Sequence, residues 1–162
     1  MTNLKPSLME RSQTKISNKW IFTLLFFSFV GFSVSAYLTA TFYLGEVPTC
    51  TVLKGCEEVT TSQYSKIGPI PTSLLGLGYF LSLLIMLVAY LDMKKEKIFK
   101  LFALMTIPGA LISLVLLFLQ FGVLKAVCVY CLAADISILL ITGSTVFLYL
   151  AFIKKSKQEE VE

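Results

Sequence analysis

Four stretches of this chain, at residues 20–44, 72–91, 101–121 and 127–153, are each apolar enough and long enough to cross a lipid bilayer. A spanning helix needs about 20 mostly apolar residues, because ~1.5 Å of rise per residue must cover a hydrocarbon core of about 30 Å. Open strands would leave unsatisfied backbone groups in lipid, so helices are the economical solution. Of the 162 residues 56% are hydrophobic and only 15% charged, a balance that suits the bilayer rather than water as solvent. The expected fold is therefore all-α, a four-transmembrane-helix bundle. Pro108 and Gly109 fall inside the third stretch, where a kink is expected and bundle neighbours tolerate it. Val34, Ser35 and Ala36 resemble a signal-peptide cleavage site. The apolar run continues past them to Leu44, so the first stretch is read as a retained span.

The charges orient these spans. Lys5, Arg11, Lys15 and Lys19 precede the first, Lys94, Lys95, Lys97 and Lys100 lie between the second and third, and Lys154, Lys155 and Lys157 follow the fourth. That is 11 of the 14 basic residues on one side, with only Lys54, Lys66 and Lys125 on the other. The positive-inside rule then puts both termini and the 92–100 loop in the cytoplasm, and residues 45–71 and 122–127 outside. These basic runs flank spans and have no folded basic domain behind them, which argues against a nucleic-acid partner.

The segments 1–19 and 154–162 are polar and expected to be loosely ordered cytoplasmic ends around a bundle at 20–153. The outer loop 45–71 is the one long connection, and long loops in compact domains are usually functional. Gly45, Pro48 and Gly55 punctuate its first half. From Glu57 to Ser65 such breakers are absent, and a short helix over the mouth of the bundle is expected there. Gly68, Pro69 and Pro71 then turn the chain back into the membrane.

All four cysteines fall at the outer end of this topology: Cys50 and Cys56 in the long loop, Cys128 and Cys131 where the fourth span begins. The outward compartment of a bacterium supports disulfides, as does the secretory lumen. Cys128-Val129-Tyr130-Cys131 is a C-x-x-C motif at a helix start, where free amide groups and the helix dipole favour a thiolate. Lys125 is expected to add a positive charge and lower a thiol pKa further. Three chemistries fit four cysteines so placed. A static pair of disulfides is one, and with it a noncatalytic membrane scaffold or small transporter subunit. A four-thiolate metal site is another, but C-x5-C lacks the usual ligand spacing and the chain has no histidine. The third, and the one preferred, is a relay between two dithiol pairs through a mixed disulfide.

Electrons leaving such a relay need an acceptor. Without histidine there is no bis-histidine haem ligation, and no glycine-rich nucleotide fingerprint follows a strand. A lipid-soluble quinone, of ubiquinone or menaquinone type, is the natural choice. Asp135, four residues after Cys131 and seven after Cys128, shares their helical stripe. An intramembrane carboxylate is a functional candidate by default, either to bond the quinone, relay a proton or tune the thiols. The bland alternative is a shallow polar contact that reaches water or Lys125.

Together, C-x5-C in the first outer loop, Ser62 six residues after its second cysteine, an Ile-Pro and glycine segment opening the second span, and Tyr130-Cys131 heading the last helix resemble the vitamin K epoxide reductase family in its short bacterial form, without a fused thioredoxin-like domain. The resemblance implies a bundle around a quinone pocket capped by the outer loop and its half-helix, in the bacterial cytoplasmic membrane. It also implies an order of exchange: Cys50 with a reduced thioredoxin-like carrier, Cys56 with Cys128, and Cys131 facing the quinone. Ser62 matches the family's half-helix serine near the quinone, Tyr64 lies in the same segment, and both are expected at that site. Vertebrate members have a tyrosine where this chain has Asp135, and a quinone-contacting asparagine where it has Thr72.

Overall fold

The computed structural model describes residues 18–48, 55–93 and 95–159. Five helices follow in order: α1 (Asn18–Leu44), a short α2 (Cys56–Thr61), α3 (Thr72–Met93), α4 (Glu96–Phe118) and α5 (Val129–Glu159). Four of them are long and apolar enough to cross a membrane, over Lys19–Leu44, Thr72–Met93, Lys97–Leu124 and Val129–Ala151. In the bundle α1 packs on α3 and α5, while α4 packs on α5 and α3, which closes a ring of four.

Their outward faces carry large apolar side chains such as Phe22, Phe29, Ile85, Leu111 and Phe147, all exposed. So much bare apolar surface on every long helix is the signature of contact with lipid. Inside, Ile21, Leu24, Phe80, Leu83, Leu87, Phe99, Phe102, Ile138 and Ile141 form one core. Close helix approach needs small residues, and Gly76 sits against the Ser35 side chain, where an added methyl carbon would lie 3.2 Å from its hydroxyl.

Pro108 lies inside α4 as expected. Two neighbours bond the carbonyls of the adjoining turn: the Tyr79 hydroxyl donates to Met105 O (3.0 Å) and the Thr142 hydroxyl to Thr106 O (3.2 Å). Polar side chains from α3 and α5 thus compensate a helix that proline has weakened.

Several boundaries differ from the sequence reading. The third span starts earlier, taking Lys97 and Lys100 into the helix, and ends in a π-helical turn at Leu119–Leu124. The fourth begins at Val129 rather than 127. The polar end after residue 153, expected to be loose, continues as helix to Glu159, since nothing between Lys154 and Glu159 breaks it. The loop segment after Glu57 is helical as expected, first as α2 and then as a 3-10 turn at Gln63–Ser65. A small antiparallel hairpin follows, pairing β1 (Lys66–Ile67) with β2 (Ile70–Pro71). Its two-residue turn opens on Gly68 at φ +64, and Pro69 fixes the second position at negative φ, the pattern of a type II′ turn.

Candidate active site at the cysteine end

The polar chemistry gathers at the end of the bundle where α4 leaves and α5 begins. Cys56, the first residue of α2, is disulfide-bonded, and its side chain is 1% exposed. Cys50 lies outside the described residues. Glu57 and Glu58 in the first turn of α2 favour its helix dipole. Gly55, just before it, lies on the main chain of the opposite connection. A methyl carbon there would fall 2.5 Å from Val127 N and 2.9 Å from Val127 O, so only glycine permits this approach. The contact places Cys56 in one buried cluster with Val59, Ala126 and Cys128, and Cys131 and Tyr130 pack against it.

Cys128 and Cys131 are free thiols. Cys128 is the residue just before α5 and is fully buried. Its Sγ accepts the N–H of Cys131 at 3.4 Å, and its carbonyl accepts the N–H of Leu132 at 2.9 Å. The sulfur therefore stands in for the side-chain oxygen of an ordinary N-cap. Its pKa is lowered to about 7, first by the hydrogen bond from the Cys131 side chain and then by the amides of Cys131 and Tyr130, against the opposing effects of burial and Asp135. Lys125, expected to share in this lowering, does not. Hydrogen bonds at the helix start supply it instead, and Lys125 is given over to a left-handed turn at φ 50 that ends the π-helical segment. Across the bundle, the Tyr130 ring meets Tyr37 of α1, with centroids 4.9 Å apart.

Asp135 is 5% exposed and faces α4. Ser113 Oγ donates to its Oδ1 at 2.8 Å, and Gln120 Nε2 to its Oδ2 at 3.3 Å. Gln120 Oε1 in turn accepts the N–H of Cys128 at 3.2 Å. The shallow contact with water or Lys125 considered from the sequence gives way to this buried network. Gln120 and Ser113 did not stand out in the sequence. The only signal was an amide side chain at the outer end of an apolar run.

Ser62, Tyr64 and Thr72 follow α2 in the chain: Ser62 caps its C-terminus, Tyr64 lies in the 3-10 turn and Thr72 opens α3. The Thr72 hydroxyl donates to Ser65 O (2.9 Å) and so ties the start of α3 to the 3-10 turn. The Ser62 hydroxyl donates to Val59 O (2.7 Å), and Tyr64 is exposed. Ser62 and Thr72 are thus held by bonds separate from those of Asp135. Among the described residues no three His, Cys, Asp or Glu side chains converge as a metal site would require.

Fold and site define a multi-pass helical membrane protein that holds two free thiols, one of them fully buried, at one end of its bundle. A model of the vitamin K epoxide reductase family matches residues 22–152, the whole bundle from α1 to α5, and the chain belongs to that family. Members of this family are oxidoreductases. A search of curated proteins finds no match to the chain.

Proposed function

We propose that the protein is a thiol:quinone oxidoreductase that makes disulfides outside the cytoplasm. A reduced thioredoxin-like carrier delivers two electrons to the pair Cys50 and Cys56, these pass to Cys128 and Cys131, and a membrane quinone of ubiquinone or menaquinone type accepts them. The observation that carries this reading is the shared burial of Cys56 and Cys128, brought together from different loops by the main-chain contact at Gly55. Two cysteines so juxtaposed, one in a disulfide and the other a free thiol with a lowered pKa, are equipped for exchange.

The sulfur chemistry runs in steps. Attack by the carrier on Cys50 frees Cys56 as a thiolate, which attacks Cys128 in its disulfide with Cys131, and Cys131 leaves with the electron pair. The carrier's second thiolate closes the carrier's own disulfide and frees Cys50, which then attacks Cys56 and releases Cys128, so the carrier leaves oxidised and both thiols of the inner pair are reduced. Oxidation of that pair to a disulfide gives two electrons and two protons, which convert quinone to quinol. Ser62, Tyr64 and Thr72 are proposed to line the quinone side of the capping segment. The basic residues around the 92–100 loop and beyond residue 153 support cytoplasmic termini in a bacterial inner membrane, with the cysteines outside.

The direct test supplies purified protein in detergent with a reduced carrier and a quinone analogue. Quinol should form at the expense of carrier thiols. No quinol with any carrier or quinone, from protein that is folded, would sink the proposal in favour of a disulfide-stapled scaffold.

A further inference from the structure

Gln120 is used at every polar atom the turn between α4 and α5 offers it. Its carbonyl accepts the N–H groups of both Lys125 and Ala126, the latter at 3.2 Å. Its side-chain oxygen accepts the Cys128 N–H, and its side-chain nitrogen donates to Asp135. Ser113 holds the far carboxylate oxygen of Asp135. All three side chains are buried, Gln120 at 3% exposed and Ser113 at 2%. The connection so closed carries Lys125, the one non-glycine residue with positive φ among the described residues. A left-handed lysine is mildly strained and persists only where its surroundings fix it. One glutamine therefore sets the path of the chain into Cys128 from both its main chain and its side chain.

We propose that Gln120, anchored by Asp135 and Ser113, is a positioning residue for thiol–disulfide exchange: it holds the Cys128 main chain still while the Cys128 sulfur changes partner between Cys131 and Cys56. The inference rests on the relay reading above. When the Cys56 thiolate attacks Cys128, a Cys56–Cys128 bond forms as the Cys128–Cys131 bond breaks, and the electron pair departs on Cys131. With the Cys128 amide fixed, both partner sulfurs are met from one main-chain position inside a single cluster. A loose Cys128 would have to find both sulfurs from a moving backbone, and misplacement by about 1 Å is enough to slow a reaction by about a hundredfold. On this account Asp135 positions the thiol through Gln120, because Ser113 of α4 and Gln120 of the π-helical turn occupy its two oxygens.

The test uses full-length protein carrying Cys131→Ala, in which Cys128 attacks Cys56 in its disulfide and displaces that residue's former partner. No quinone or carrier is needed. The mixed disulfide is read by alkylating quench, tryptic cleavage in the 92–100 loop and a non-reducing gel that keeps the two halves joined. In this background Gln120→Leu, which removes both side-chain bonds at similar volume, should slow exchange about tenfold to a hundredfold. Gln120→Glu alone sets two carboxylates face to face and should be as slow. Gln120→Glu with Asp135→Asn restores the chain with its polarity reversed, because the new carboxylate accepts both the Cys128 N–H and the new amide. The pair should recover to within about threefold of the parent, the non-additivity expected of directly coupled residues. In the complete assay, with Cys131 present, Gln120→Leu should lower kcat and leave the KM for quinone unchanged. A lost quinone contact would raise KM.

Exchange at the parent rate in Gln120→Leu, or a double variant no faster than Gln120→Glu, overturns the proposal. If Gln120→Leu fails to fold in detergent, Gln120→Glu against the double variant decides. If those fail as well, the network is a folding element and the proposal falls. A parent that forms no mixed disulfide refutes the relay itself, so failure of the reading and failure of the clamp give different results.

Discussion

Around Phe102, nine buried apolar side chains contributed by all four long helices close a continuous core, with Phe99 and Phe102 stacked at 6.3 Å. Around Cys128, among the described residues, the buried apolar company is Cys56, Val59 and Ala126, edged by partly buried Leu124, Tyr130 and Cys131, and beside it runs a buried hydrogen-bonded network of Ser113, Gln120 and Asp135. Dispersion packing holds a lipid-embedded bundle together without a hydrophobic drive between helices, so the first region suits stability. The second gives up apolar packing for directional bonds, which fix where a sulfur sits. One bundle thus separates cohesion from chemistry along its axis.

The largest effect that would sharpen this contrast is Cys131→Ala. It should abolish quinone reduction entirely while the melting temperature in detergent stays put, because the Cys131 side chain gives the bundle only partial packing against the small cluster and one thiol hydrogen bond to Cys128. A marked fall in melting temperature would blur the division. Phe102→Ala attacks the other region: stability should fall by about 3 kcal/mol in a denaturation series, with turnover per folded molecule retained. Gly55→Ala should leave the Phe102 core untouched, cost about 1 kcal/mol and slow Cys56–Cys128 exchange about tenfold, as the added methyl pushes α2 off Val127. The Cys128 thiol should be alkylated with a midpoint near pH 7. A lowered pKa means that the thiolate is present above the midpoint and lost below it, so alkylation should fall about tenfold per unit of pH under 7. Cys131→Ala removes the largest lowering cause and should move the midpoint up, toward the ordinary thiol value of about 8.5. Thr72→Val, which loses one bond to Ser65 O, should cost about 1 kcal/mol in the same denaturation series.

The cohesive region was legible in the sequence and the polar one only in part. Apolar runs of spanning length mark helices whatever their neighbours, and α1 and α3 lie where the runs predicted. Cys128 and Cys131 advertised a helix start because C-x-x-C has a local spacing. Gln120 and Asp135 meet only because the π-helical turn and the left-handed Lys125 reverse the chain between them. No hydropathy pattern announces such a reversal. Ser113 reads as one more small residue in a spanning helix until its hydroxyl is seen on Asp135. Lys97 and Lys100 misled in the opposite sense, since charges near a span end can join the helix while their heads reach water.

The docking of α2 through Gly55 has a consequence for divergence. Its grip on the bundle is main chain against main chain, with Cys56 and Val59 as the only buried side chains of the helix. Glu57, Glu58 and Gln63 are exposed and hold none of that contact. The surface of the cap can therefore be rewritten residue by residue, to suit one soluble protein or another, without moving the sulfur beneath it.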